Sequence, residues 1–328
     1  MEKVVIALDA MGGDYAPEQT VKGAVEAVNS SDEIRVILVG KQDMIAKELE
    51  KYKYAKEDIE VVHASEIIDM GVPTVAIKDK KDSSLVVAMR LVREGKADAL
   101  VSAGSTGAVL VGGQLVVGRL KGIKRPPLAP FIPTTKGFSL LIDCGANVDA
   151  RPEHLVQFAQ MGSIYYENVM GKKNPTVALL NIGTEEEKGN QLVKDTKPLM
   201  KECKNINYIG SVEARELVSG AADVIVCEAF VGNVVLKFFE GLALTLFGSL
   251  KEGLMSSTRT KLGALLVKPA LKGLKNQFDT SSQGGAPLLG LKGLVVKAHG
   301  NSSSKEIEIA LKQCISFKKQ RKNQRKYM

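Results

Sequence analysis

Tryptophan is absent from this chain of 328 residues, and aromatic side chains make up only 5% of it. That leaves too few stacking platforms for a single-stranded nucleic-acid binder. Histidine occurs three times, as His63, His154 and His299, and cysteine four times, as Cys144, Cys203, Cys227 and Cys314. The cysteines are scattered, with no C-x-x-C pair and no His/Cys ligand spacing, so they read as reduced thiols and not as a disulfide frame or zinc site. No G-x-S-x-G elbow, G-x-x-x-x-G-K-[ST] loop or G-x-G-x-x-G fingerprint is present, which removes support for an elbow serine and for ATP or dinucleotide binding. No metal, no cofactor and no nucleic acid are expected.

Acidic residues are missing from one end. After Glu308 the chain has seven basic residues and no acidic one, and without those seven it holds 38 basic against 37 acidic residues. The net charge of +8 is therefore regional. A second excess lies in Lys237 to Lys275, where seven basic residues face only Glu240 and Glu252. An acidic partner should meet those regions.

Long apolar runs are also scarce. Ala99 to Gly118 has twenty residues without a charge, but five of them are glycine and Ser102, Ser105, Thr106 and Gln114 interrupt it. Strand, loop and helix fit this run better than a membrane span. The N-terminus enters a strand at once and lacks the layout of a signal peptide. A soluble chain is expected.

What is present is a rhythm of strand, loop and helix. Strands are expected at 4–8, 34–39, 61–62, 99–102, 139–142, 176–181 and 224–227. Helices are expected at 17–28, 43–50 and 85–94, the last capped by Ser83 or Ser84. Near-continuous apolar strands alternating with helices predict an α/β fold in three layers, α/β/α, around a mostly parallel central sheet. Residues 1–317 read as one catalytic unit and 318–328 as a flexible basic tail.

Five polar, glycine-bearing segments come after strands or strand-like runs: 9–14, 102–107, 143–147, 181–190 and 230–233. Glycine lets a backbone turn with positive φ and lets a ligand approach closely, and in such folds ligands sit beyond the carboxyl ends of the strands. The candidate ligand-binding residues are Asp9, Gly12, Gly13, Ser102, Gly104, Ser105, Thr106, Gly107, Asn147 and Gly232. Lys188 sits among Glu185, Glu186, Glu187 and Gly189, either as part of a solvated charged turn or as a point charge for phosphate or an oxyanion. Asn233 is placed at a helix start. It either caps the helix or donates to a substrate oxygen, and the free N–H groups of that helix start invite an anion. His299 faces a ligand or holds a structural hydrogen bond. His154 reads as structural, and Cys144 as a packed small residue rather than a nucleophile.

Between 237 and 275 leucines recur at helical intervals among lysines, with Pro269 interrupting the pattern. This predicts a protruding basic helical hairpin. It serves as a subunit interface, as an amphipathic surface for anionic lipid, or as both. Lys251, Leu254, Lys261, Leu262, Leu265, Leu266 and Lys268 are its candidate contact residues.

With these residues assembled, the chain resembles the bacterial phosphate acyltransferases of the PlsX family. The likeness runs nearly end to end. It is carried by ALDAMGGD at 7–14, VSAGSTGA at 101–108, LIDCGANVDARPEHLVQFAQMGS at 141–163, LLNIGTEEEKGN at 179–190, FVGNVVLKFFEG at 230–241 and VKAHGNSS at 296–303. Three departures stand out: Ser105 where the family has Asn, Glu228-Ala229 where it has Asp-Gly, and Gln283 where it has Tyr. The resemblance implies an isocitrate/isopropylmalate-dehydrogenase-like fold and transfer of a fatty acyl group from acyl carrier protein to inorganic phosphate. The acyl phosphate would then serve a membrane acyltransferase that acylates glycerol 3-phosphate in phospholipid synthesis. It further implies a cytoplasmic homodimer held peripherally at an anionic membrane surface, with no nucleotide and no redox cofactor. Lys188, Asn233 and His299 are the candidate catalytic residues. A phosphotransacetylase-like enzyme using a short-chain acyl-coenzyme A is the alternative enzyme. A non-catalytic membrane-surface scaffold is the alternative from another class.

Overall fold

A computed structural model describes residues 3–69, 71, 76–278 and 284–324, with side chains described to residue 318. The chain divides into two compact units, one formed by Met1–Pro130, Asn168–Gly171 and Gln283–Met328, the other by Phe131–Glu167 and Lys172–Ser282.

The first unit opens with β1 (Val4–Asp9), α1 (Glu18–Asn29), β2 (Ile34–Gly40), α2 (Gln42–Leu49) and β3 (Ile59–His63). It continues through α3 (Ala76–Asp79), α4 (Ser84–Arg93), β4 (Ala99–Ser102) and α5 (Thr106–Gly112). The second unit holds β5 (Phe131–Thr134), β6 (Gly137–Ile142), most of α6 (Pro152–Met170), β7 (Thr176–Asn181) and α7 (Gln191–Glu202). It also holds β8 (Asn207–Glu213), β9 (Val224–Val226), α8 (Ala229–Met255) and α9 (Thr258–Gln277). The chain then returns to the first unit with β10 (Ala286–Pro287), β11 (Leu294–Lys297) and α10 (Ser304–Gln324).

The strands lie in two sheets. Six form the order β10-β11-β4-β1-β2-β3 and five the order β5-β6-β9-β7-β8. All neighbours run parallel except β10 with β11 and β5 with β6. The mostly parallel α/β class is therefore as expected, with the strands shared between two sheets. Ile6, Leu8, Val36, Leu38, Leu100 and Val101 are fully buried in the first sheet, as are Leu140, Leu141, Val224 and Ile225 in the second. Side chains of one strand point to both faces, so burial of consecutive residues means both faces are covered by other elements.

Local differences from the sequence reading have physical causes. Ser83 stands at the N-cap position of α4, but its hydroxyl donates to the Lys80 carbonyl (2.8 Å) and does not cap. Pro269 does not end α9, which runs through it. Nor do residues 318–324 begin a free tail: they continue α10, and Lys318 pairs with Asp98 at 2.5 Å. Residues 325–328 and Gln283 lie outside the described residues.

Glu308 joins α10 to the end of α1. Its carboxylate accepts from Lys305 (2.6 Å), Lys312 (2.7 Å) and the Ser30 hydroxyl (3.0 Å). Burial alone raises its pKa, but these donors outweigh burial and bring it down to about 2. A carboxyl group whose pKa is depressed on folding adds stability above its ordinary pKa and loses it as pH falls toward the folded value. Glu308→Gln should cost about 1–2 kcal/mol at neutral pH. In thermal unfolding, the gap to wild type should close as pH falls from about 4.5 toward 2.

Candidate active site

In the first unit, β11, β4 and β1 are neighbours and end in register. Lys297 pairs with Ser102, Val101 pairs with Leu8, and Asp9 comes after Leu8 as the last residue of β1. The Ser102 hydroxyl donates to Asp9 Oδ2 (2.7 Å) and accepts from the Gly104 amide (3.1 Å). Two glycines are required here by contact. A Cβ on Gly12 would collide with Asp9 Oδ2 and, at 2.8 Å, with the Gly104 nitrogen, while Gly13 adopts φ +109° with the Gly300 carbonyl 3.0 Å from where its Cβ would stand. The Asp14 amide donates to the Gly300 carbonyl (2.7 Å). Thus the loops after β1, β4 and β11 interlock, and Asp9, Gly12, Gly13, Ser102 and Gly104 form one cluster. Ser105 caps α5 through the Ala108 amide (3.5 Å), with Thr106 and Gly107 next to it at partly exposed positions. The serine at this departure from the family pattern is therefore a helix cap. His299 is exposed on the loop after β11.

Asp9 is 2% exposed, and burial raises its pKa against the Ser84 and Ser102 hydroxyls beside it. Its Oδ1 has no hydrogen-bond partner among the described residues; Ser84 lies close enough to favour the charged form without bonding to that oxygen. Lys297 is 7% exposed, and its pKa is pushed down to about 8 by burial, against the opposing pull of Asp9 and Asp14.

In the second unit the adjacent strands β6, β9 and β7 likewise carry loops at their carboxyl ends. After β6, Asp143 is fully buried and holds the Ala146 amide (3.1 Å) and the Asn147 side chain (2.7 Å), while the Asn147 carbonyl accepts from the Ala229 amide (3.0 Å). After β9 the helix starts earlier than the sequence suggests. Glu228 is its N-cap, accepting from the Phe230 amide (2.6 Å) and the Val231 amide (2.9 Å). This corrects two expectations. Asn233 is not a cap, since it lies inside the first turns of α8. The first N–H groups of α8 are not free for an anion, because the chain's own carboxylate takes them. Gly232 is buried against the Asp143 carbonyl, where a Cβ would collide, and its space is used in packing α8. Asn233 itself is partly exposed.

After β7, Lys188 is exposed and has no ion-pair or side-chain hydrogen-bond partner among the described residues; its stem passes Gly183, whose Cβ would stand 3.1 Å from Lys188 Cγ. The loop beneath it is held from within. Lys197 on α7, only 3% exposed, donates to the carbonyls of Glu185 (2.9 Å), Glu186 (2.8 Å) and Lys188 (3.0 Å). The Asn181 amide adds bonds to the carbonyls of Gly183 (2.8 Å) and Lys188 (3.1 Å).

Burial raises the thiols of Cys144 and Cys227 well above the ordinary range, with Asp143 adding to both and Cys227 to Cys144, which disfavours the reactive thiolate form. His154 is structural, its Nδ1 accepting from the Arg151 amide (3.1 Å) at the start of α6. Among the described residues, no group of three or more His, Cys, Asp or Glu is placed to hold a metal.

The hairpin is formed by α8 and α9, beginning eight residues earlier than its sequence pattern. Phe230, Val234, Phe238, Leu242, Leu246 and Leu250 are all exposed and recur every four residues along α8, a stripe that winds gradually around the helix because each step of four turns it by about 400°. Near the tip, Leu262, Leu265 and Leu266 are exposed beside Lys261 and Lys268. Lys251 is exposed and Leu254 partly so. Across its most apolar stretch α8 has a mean hydropathy of 1.6 and is 6% buried, so by length and composition it meets the requirements of a membrane span. An exposed apolar face of this extent has the character of an interaction surface.

The fold alone is shared with solved enzymes of two kinds. A phosphotransacetylase from Streptococcus pyogenes superposes with a TM-score of 0.66 at 17% identity over 96% of this chain and 94% of that one. A putative 4-hydroxythreonine-4-phosphate dehydrogenase from Salmonella typhimurium gives 0.54 at 14% identity over 96% and 98%. In sequence, the phosphate acyltransferase of Alkaliphilus oremlandii (strain OhILAs) is 55% identical over 95% of this chain and 93% of its own length. The model of the family described as "Fatty acid synthesis protein" matches residues 4–325. The fold is a mostly parallel α/β architecture that these solved enzymes share. More narrowly, the chain belongs to that fatty acid synthesis family, the PlsX family, and is an acyltransferase.

The sequence marks Glu228 only as a departure from the family pattern, and it singles out neither Lys197 nor Lys297. A lysine closing the apolar run Val295–Lys297 is a signal for the last of these; nothing marks Lys197, whose partners are all backbone. Lys197→Met should leave the loop carbonyls without their donors. Amide hydrogen exchange of residues 182–190 should then rise at least tenfold while the core strands β7 and β9 keep their protection; unchanged exchange in the loop would show that Lys197 does not hold it.

Proposed function

We propose that the enzyme transfers a fatty acyl group from acyl carrier protein to inorganic phosphate, giving an acyl phosphate for phospholipid synthesis. The observation that supports this most is family membership along nearly the whole chain. Phosphate is itself the nucleophile, so no enzyme side chain has to be acylated. A phosphate oxygen forms a bond to the thioester carbon, the carbonyl oxygen becomes an oxyanion, and the C–S bond breaks. The thiolate leaves and takes up the proton that hydrogenphosphate carried. The enzyme has to orient the two reactants and stabilise the oxyanion. Lys188 supplies a cation for phosphate or the oxyanion. Asn233, relieved of capping by Glu228, donates to the reacting acyl group. The Ser102–Gly107 loop and His299 serve the phosphate.

The hairpin suits the same reading. We assign the four-residue stripe on α8 to a second copy of this chain in a homodimer. The lysine-flanked leucines near the tip are assigned to an anionic membrane surface, with the basic residues of α9 also meeting the acidic carrier protein. Localisation would then be cytoplasmic and peripheral to the membrane, close to the acyltransferase that uses the acyl phosphate. A short-chain, coenzyme A-dependent enzyme is the second reading, favoured only by the fold it shares with a phosphotransacetylase.

Two measurements test this. With phosphate as acceptor, long-chain acyl carrier protein should be used with a kcat/KM at least 100-fold above that of acetyl-coenzyme A, and Lys188→Ala should lower turnover at least 100-fold without a change in melting temperature. A preference for acetyl-coenzyme A would replace the first assignment, and wild-type kinetics in Lys188→Ala would remove that residue from the site. Independently, the pair Leu265→Glu and Leu266→Glu should abolish flotation with vesicles of anionic phospholipid while leaving turnover of soluble donor within twofold.

A further inference from the structure

Buried charge at the edge of the first sheet is incompletely matched. Lys297 ends β11, is 7% exposed, and carries three N–H donors. Two are used, one on the neighbouring Ala298 carbonyl and one on the Ala103 carbonyl at 3.4 Å. The third has no acceptor among the described residues. Two strands away, Asp9 uses Oδ2 on Ser102 and leaves Oδ1 without a hydrogen bond. Burying an ammonium this far is costly unless a partner compensates it, and no carboxylate lies within ion-pair distance of Lys297 among the described residues. Its two hydrogen bonds go to backbone carbonyls of the loops after β4 and β11, and glycines in such loops let a small anion approach the main chain closely.

We propose that Lys297 is a cation of the phosphate site, donating its unused N–H to an oxygen of inorganic phosphate, and that Asp9 is a positioning residue that holds Lys297 charged and the Ser102–Gly104 turn in register. The inference rests on the phosphate-acceptor reading given above and names the residue that carries the acceptor. A phosphate group could also reach this cluster as the diester of a phosphopantetheine arm on the acyl donor. The free anion is favoured, because the cluster offers a single cation set in tight loops. The charged groups facing Lys297 are Asp9 at the end of β1 and Asp14 in the loop after it, with His299 two residues along its own loop. A lysine ammonium titrating near pH 8 is a cation below that pH and a neutral amine above it, whereas inorganic phosphate is already dianionic there.

The test is phosphate binding and steady-state kinetics of the full chain. In wild type the KM for phosphate should rise about tenfold per pH unit above pH 8, with the acyl-donor KM unchanged. Lys297→Met should raise the phosphate KM at least tenfold at pH 7, leave the acyl-donor KM within twofold, and flatten the alkaline rise. Asp9→Asn should shift that rise to lower pH, because Lys297 loses the carboxylate that favours its charge; a purely structural Asp9 would lower the melting temperature and leave the profile in place. A flat wild-type profile from pH 7 to 9.5 overturns the proposal even if the variants do not fold. So does a wild-type phosphate KM in Lys297→Met, or a rise confined to the acyl-donor KM, which would assign the lysine to the phosphopantetheine diester. If the wild type made no acyl phosphate, the function reading would fail on its own. Calorimetric titration with inorganic phosphate would still decide Lys297 through a tenfold or greater weakening in Lys297→Met, and equal affinity in the two proteins would reject it.

Discussion

The burial of Asp9, Ser102 and Lys297 on three neighbouring strand ends is the constraint around which the first unit is organised. Parallel strands in register deliver their last residues side by side, and the sequence places a carboxylate, a hydroxyl and an ammonium there instead of the valines and leucines that precede them. Each desolvated group then shapes the loop that leaves its strand. Ser102 bridges Asp9 to the Gly104 amide, which bends the chain tightly enough that Gly12 and Gly104 nearly touch. Lys297 ties its own loop to the carbonyl of Ala103. The glycine loops are thus the consequence of a polar cluster that leaves no room for side chains, as well as a place where a ligand backbone contact is possible.

The second unit solves a similar problem with different groups. Its strand ends carry Asp143, Asn181 and the Cys227–Glu228 pair, and again the buried polar atoms are directed at the backbone of the loops. Asp143 and Asn147 hold the start of α8 through the Ala229 amide. Glu228 then saturates the first free amides of that helix. A carboxylate placed there also discourages an anion from binding at the helix start, because like charges repel. That moves the burden of meeting a negative substrate to side chains, of which the exposed Lys188 is the obvious one in this unit. Lys197 makes this workable: an ammonium buried under three carbonyls acts as the rigid floor from which Lys188 extends.

Most of the strands could be read from the sequence because their signal is local. Val4–Asp9, Ile34–Gly40, Ala99–Ser102 and Thr176–Asn181 are runs of apolar residues that end in glycine or polar residues, and the structure places them within a residue of the expectation. The hairpin was legible for the same reason, although its first turns were not. FVGN looked like a turn because Gly232 interrupts the helical pattern, yet that glycine is needed for the approach of α8 to the Asp143 carbonyl. The division of strands between two sheets was not legible, since pairing partners are set by packing between distant segments; β11, for instance, joins β4 across nearly two hundred residues.

The site residues divide along the same line. Loops after strands announced themselves through glycine, so Asp9, Ser102 and Lys188 could be picked out. Lys197 could not, and Lys297 only through the apolar run it closes, because a lysine in sequence is by default a solvated cation and only the fold removes its water. The two then part ways in a manner that bears on function. Lys197 has every donor used by carbonyls and is fully accounted for by the loop it holds. Lys297 has a donor left over in a similarly buried position, and Asp9, two strands away, has an unused carboxylate oxygen. A protein under selection for stability alone would gain by replacing an imperfectly matched buried charge with an apolar side chain of similar volume. Retaining it at the carboxyl edge of a parallel sheet, where α/β enzymes bind ligands, is the pattern of a site whose last partner arrives with the substrate.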